Sequence, residues 1–83
     1  MRLYGLTPEQ YDEMLEAQGG CCKLCADELI RPHVDHCHET GRVRGILCPK
    51  CNWMLGHFGD DAAKLERAMT AAIEYLKEPS HAV

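Results

Sequence analysis

Two cysteine pairs constrain this chain more than anything else in it. Cys22-Lys23-Leu24-Cys25 and Cys48-Pro49-Lys50-Cys51 are both C-x-x-C, and 22 residues separate them. A C-x-x-C knuckle sets two sulfurs on one side of an ion, and two knuckles complete the tetrahedron that zinc takes in structural sites. The interval is long enough to hold a hairpin. A chain of 83 residues is expected to form a single domain, 1–83, around a small core, and a bound metal or disulfides supply what such a core lacks. Six cysteines suit either remedy. The paired spacing favours zinc. So does the lead Met1-Arg2-Leu3-Tyr4-Gly5, which runs towards a helix start without an apolar leader and points to a reducing, cytoplasmic setting. No run approaches the ~20 apolar residues that a spanning helix needs.

The remaining cysteines are less defined. Cys21 can replace Cys22 as a ligand only by breaking the x-x spacing, so it is expected to be a spare thiol. Cys37 lies among histidines and can join a second metal, or fill the hairpin as a small half-buried residue, which is the expectation.

The rest of the chain reads as helix, hairpin, helix, helix, a small α+β fold. Thr7-Pro8-Glu9-Gln10 is a helix start, with Thr7 as N-cap, Pro8 in the first turn and Gln10 at the capping-box position. Tyr11, Met14, Leu15 and Gln18 form a stripe expected to be buried, and Gly19-Gly20 ends the helix. Residues 28–36 read as a strand interrupted by Pro32, so an edge or bulged one. Glu39-Thr40-Gly41-Arg42 is a turn with Gly41 at positive φ, and Val43–Leu47 pairs back as the second strand. Pro49 starts the next helix, which Gly56 and Gly59 bracket. Asp60 or Asp61 caps a last helix to about residue 77, whose Leu65, Ala68, Met69, Ala72, Ile73 and Leu76 make an amphipathic face fit for a monomer core or a dimer seam. Pro79 stops it, and Ser80–Val83 is a tail.

The net charge of −4 argues mildly against a nucleic-acid partner, but its distribution does not. The acid is concentrated in the flanking helices. Between them, residues 21–52 carry Lys23, Arg31, Arg42, Arg44 and Lys50 against Asp27, Glu28, Asp35 and Glu39. That middle also holds His33, Asp35, His36 and His38 within six residues. Strict strand alternation sets His33, Asp35 and Cys37 on one face and His36 and His38 on the other. Asp35 and His36 can therefore share a site only where the strand ends or bulges. A hard cation such as Mg²⁺ takes oxygen ligands, and Asp35 offers a carboxylate and Asn52 an amide oxygen. A neutral His36 can take a proton from an attacking water. These residue types point to metal-assisted hydrolysis, the alternative being a two-zinc cluster that leaves Asn52 without a role.

The run Val34-Asp35-His36-Cys37-His38, then Gly41-Arg42-Val43-Arg44-Gly45-Ile46-Leu47-Cys48, then Cys51-Asn52 resembles the phage recombination endonuclease VII family, within the His-Me finger (HNH-type, ββα-metal) nucleases. The resemblance covers roughly residues 7–77. It implies a ββα-metal core flanked by an N-terminal and a C-terminal helix, with structural zinc on Cys22, Cys25, Cys48 and Cys51. It further implies a catalytic Mg²⁺ or Mn²⁺ on Asp35 and Asn52, His36 as general base, His33 and His38 orienting the phosphate or the base, and Arg44 touching phosphate. The activity implied is endonucleolytic cleavage of duplex or branched DNA to a 5′-phosphate and a 3′-hydroxyl, in the host-cell cytoplasm if phage-encoded, by a monomer or homodimer. Cys37 stands where such proteins usually carry an acidic residue. This chain also lacks the length of the junction resolvases, so junction specificity is not implied. The competing readings are a non-catalytic zinc module that binds nucleic acid or protein, and a redox or metal-handling protein using Cys21 and Cys37.

Overall fold

The computed structural model describes residues 5–78. Its elements are α1 (Pro8–Ala17), β1 (His33–His36), β2 (Val43–Leu47), α2 (Pro49–His57) and α3 (Ala62–Lys77). This is a small α+β fold of three helices and one antiparallel hairpin. The expected stop at Pro79 and the tail Ser80–Val83 lie outside the described residues.

Helix α1 starts where local chemistry dictates. The Gln10 backbone N–H donates to Thr7 Oγ1 at 3.1 Å, and the Thr7 backbone N–H donates to Gln10 Oε1 at 2.9 Å, which closes the capping box. The helix ends on Gln18, after which Gly19 and Gly20 both adopt positive φ. Its apolar stripe is only half-buried, not buried as expected. Its firmest tie to the sheet is Gln18. The Gln18 amide donates to Ile46 O at 2.8 Å and to Cys21 O at 2.9 Å, and its Oε1 accepts from the Ile46 N–H at 3.0 Å. One side chain thus satisfies both backbone groups of Ile46, the most deeply buried residue.

The first strand is shorter than its pattern suggests. Glu28 makes an isolated bridge with Cys21, and regular pairing begins only at His33, after Pro32. The hairpin register pairs His33 with Leu47, Val34 with Ile46 and Asp35 with Gly45, then slips so that His36 faces Val43. The irregularity falls at the Asp35–His36 step, but the extra residue is Arg44, on the opposite strand. Gly41 takes the positive φ that the turn requires.

The core is centred on the thiols. The buried apolar residues among those described are Leu6, Cys22, Ile46, Leu47, Cys48 and Cys51. Leu29 and Leu55 pack against the group formed by Cys22, Leu47, Cys48 and Cys51. Helix α2 begins with Cys48 as its N-cap, runs through Gly56 and packs against β1. Helix α3 is capped by Asp61, whose Oδ1 accepts from the N–H groups of Ala63 and Lys64 at 3.0 and 3.1 Å. It buries none of its side chains, although its sequence is amphipathic.

Candidate metal centre and hairpin site

Cys22, Cys25, Cys48 and Cys51 bring their sulfurs within 4.8 Å of one another. Cys25 Sγ and Cys48 Sγ are 3.8 Å apart. A tetrahedral zinc with Zn–S bonds of about 2.3 Å needs sulfurs about 3.8 Å apart, so the donor set fits this ion in chemistry and in spacing. The first knuckle is shaped by the Cys22 N–H donating to Asp27 O at 2.8 Å and the Ala26 N–H to Cys22 O at 3.0 Å. Backbone N–H groups aim at the sulfurs: Cys48 N–H at Cys22 Sγ, 3.4 Å, and Cys51 N–H at Cys48 Sγ, 3.5 Å. Burial pushes the Cys22 thiol up, but backbone donors from Cys25, Cys48 and Leu24 outweigh it and bring the group down to about 6. Burial and the neighbouring sulfurs push Cys51 up to about 12. Crowded, largely buried thiolates repel one another, and a cation removes that conflict. Cys21 and Cys37 stand outside the four-sulfur group, as expected. Cys37 is half-buried, and hydrogen bonding from Thr40 holds its thiol below the ordinary range.

The second constellation lies on the hairpin. Asp35 is the one buried charged residue among those described, 7 % exposed. Arg44, placed beside it by the bulge, donates from Nε to Asp35 Oδ2 at 2.7 Å and from Nη2 to Oδ1 at 3.1 Å. The same Nη2 lies 3.3 and 3.4 Å from the two oxygens of Asp60. Asp60 Oδ2 is 3.2 Å from His38 Nδ1. The hydrogen bond to Asp35, with a further one to Asp60, raises the Arg44 guanidinium above its ordinary value despite partial burial. A depression of about 210 Å³ opens here, lined by Asp35, Arg44, Gly45, Lys23 and Leu55 among others. Lys23 crosses Gly45 so closely that a Cβ there would come within 2.7 Å of its Cδ, and its Nζ donates to Arg44 O at 3.0 Å.

The structure therefore brings Asp35, Arg44, Asp60 and His38 into one chain of contacts. Asn52 is half-buried on α2, the helix packed against β1. His36 is half-buried at the bulge, and His33 is exposed at the start of β1. Arg44, expected to touch phosphate, is engaged by two carboxylates. Asp60 was legible only as a possible helix cap. The structure gives that task to Asp61, and Asp60 takes a left-handed conformation at φ 58° in the α2–α3 turn. Asp35 and Asn52 offer oxygen donors of the type a hard divalent ion takes. No helix among the described residues is long and apolar enough to cross a membrane.

A sequence model of the recombination endonuclease VII family matches residues 1–78. The Gene 59 protein of Mycobacterium phage D29 is 44 % identical over 80 residues, covering 92 % of this chain and 46 % of its own. The Gene 59 protein of Mycobacterium phage L5 is 42 % identical over the same length with the same coverage. The chain thus spans about half the length of the curated relatives it matches. With a family match over residues 1–78, nearly its whole length, the chain belongs to the recombination endonuclease VII family.

Proposed function

We propose that the protein is a metal-dependent DNA endonuclease of the HNH type, with Asp35 and Asn52 holding a catalytic Mg²⁺ or Mn²⁺ and His36 acting as general base. Family membership supports a nuclease role in general. The single observation that carries the finer reading is the burial of Asp35. A core this small gains nothing in stability from a buried carboxylate, and such groups cluster where charge is handled for chemistry. Asp35 lies on the strand against which α2, the helix of Asn52, is packed.

When bound, the divalent ion supplies charge stabilisation for the phosphate and the departing 3′ oxygen. His36 accepts the proton of the attacking water at its unprotonated ring nitrogen. His33, at the start of β1, and His38, in the turn that follows it, orient the phosphate or the base. Arg44 offers a guanidinium fork suited to phosphate oxygens. Zinc on the four cysteines fixes the hairpin relative to α2, and so sets the separation between the groups on β1 and Asn52. The substrate on this reading is duplex or branched DNA in the host-cell cytoplasm, and the protein works as a monomer or homodimer.

A second reading, a non-catalytic zinc module, draws on the engagement of both Asp35 oxygens by Arg44. A plasmid-nicking assay with Mg²⁺ or Mn²⁺ separates the two. The nuclease reading expects wild-type protein to relax supercoiled plasmid, and His36→Ala to be slower by about 100-fold or more. If wild type leaves the plasmid intact with every divalent ion tried, or His36→Ala cuts equally fast, the binding-module reading prevails.

A further inference from the structure

Arg44 and a divalent cation contend for one carboxylate. Its fork engages both oxygens of Asp35, at 2.7 and 3.1 Å. An ion taking Asp35 as ligand must displace that guanidinium, whose side chain is 37 % exposed, and a second carboxylate within reach offers it a charge-assisted partner stronger than water alone. The acceptor is already in place. Asp60 presents both carboxylate oxygens to the same Nη2, at 3.3 and 3.4 Å, longer than the contacts to Asp35. Arg44 also lies between two depressions. One contains Asp35 and measures about 210 Å³, and the other contains Asp60 and measures about 170 Å³. The guanidinium can therefore turn from one carboxylate to the other without crossing packed core. The backbone fixes Asp60 in this position. It sits at φ 58°, with its N–H donating to Leu55 O at 2.9 Å, in the turn that closes α2.

We infer that Asp60 is a second seat for the Arg44 guanidinium, a positioning residue that lets Arg44 leave Asp35 when a divalent cation takes that carboxylate. The inference rests on the reading of Asp35 as a metal ligand. In its first seat Arg44 guards the buried carboxylate. In its second, it leaves that carboxylate to the ion and lies beside the depression that Asp60 lines. Asp60 also meets His38, at 3.2 Å, so the same carboxylate ties the hairpin's end to the turn.

The test is Mn²⁺ binding to the zinc-loaded full chain, read by electron paramagnetic resonance as loss of the free-ion signal. Mn²⁺ favours oxygen ligands and leaves the thiolate site to zinc. Asp60→Asn keeps a residue that tolerates positive φ but loses the charge, and Asp60→Gly keeps the backbone alone, so both suit the turn. Zinc content and circular dichroism verify each variant's fold. Expected are weaker Mn²⁺ binding in Asp60→Asn and Asp60→Gly, by about tenfold, and tighter binding in Arg44→Gln. In the Arg44→Gln background, Asp60→Asn should then change nothing, because no guanidinium needs a seat. An equal loss in both backgrounds overturns the inference and makes Asp60 a ligand or a prop of the turn. Binding that Asp35→Ala leaves unchanged overturns the metal-ligand reading itself, and this inference with it.

Discussion

The knuckle-and-hairpin region and α3 are built on opposite principles. Around the knuckles the apolar content is slight, yet Cys22, Leu47, Cys48 and Cys51 are all buried. Helix α3 carries the chain's clearest amphipathic pattern, yet Ile73 is 53 % exposed and Leu76 is 80 % exposed. Burial here follows cross-linking through a prospective ion rather than hydrophobic periodicity. Once four sulfurs are drawn to one point, β2 and the start of α2 have nowhere else to go. Helix α3 has no such tether, and its local support is the Asp61 cap at its start. A helix of this length with no buried face is marginal in water.

The largest expected effect tests the first half of that contrast. Structural zinc contributes on the order of 10 kcal/mol to the folding of small metal-clamped chains, more than a core of this size supplies. Cys48→Ser, or exhaustive chelation of the wild type, should abolish the cooperative melt seen by circular dichroism. A chelated protein that still melts cooperatively would mean that the hydrophobic core alone suffices.

Next in size is the pH dependence of zinc affinity. Metal binding requires thiolates, and Cys25 and Cys51 are both pushed above the ordinary thiol range, Cys51 to about 12. At neutral pH the ion must therefore displace protons, and its affinity rises with pH. Competition with a chromophoric chelator between neutral and mildly acidic pH should show a loss of at least about tenfold per pH unit of acidification. A flat profile would mean that the thiols ionise without the ion's help.

Gln18→Ala comes third. It removes three hydrogen bonds, two of them to the backbone of the buried Ile46, and should cost about 2–3 kcal/mol in the zinc-loaded protein. Thermal melting measures this, and a cost near zero would show α1 to be as loosely held as α3. The smallest effect is expected on α3 itself. Ile73→Asp should change stability by less than about 0.5 kcal/mol, since Ile73 is more than half exposed and little packing is lost. A much larger loss would reveal a covered face.

These contrasts mark what the sequence could and could not disclose. The α1 cap was legible because Thr7, Pro8 and Gln10 act within one turn. The four-sulfur site was legible because ligand spacing is nearly local on each side. The β2 limits and the Gly41 turn followed from the same short-range chemistry. The reach of Gln18 to Ile46 was not legible, because the partner lies 28 residues away and glutamine has no spacing signature. The sequence pattern extends β1 too far, since Leu29 and Ile30 carry a strand-like pattern before Pro32 while the chain there turns back to Cys21. The sequence offers Asp60 or Asp61 as the cap because both precede the helix, and only the backbone decides that Asp61 does the capping. The sequence makes a strand end or a bulge the condition for Asp35 and His36 to share a site, without placing one; the irregularity falls at that step with its extra residue on Arg44's strand, which sets up the Asp35–Arg44–Asp60 contact chain. The amphipathic pattern of α3 states that a face prefers cover without saying that this chain provides it.

The proposed function divides the residues into one set that gives this protein its shape and another that gives it its chemistry. That division is tested most directly by comparing thermal melts and zinc content of His36→Ala and Cys48→Ser with the wild type. Expected is a His36→Ala protein that keeps its zinc and melts within about 1 kcal/mol of the wild type, beside a Cys48→Ser protein without a cooperative transition. A His36→Ala protein as disrupted as Cys48→Ser would contradict the division.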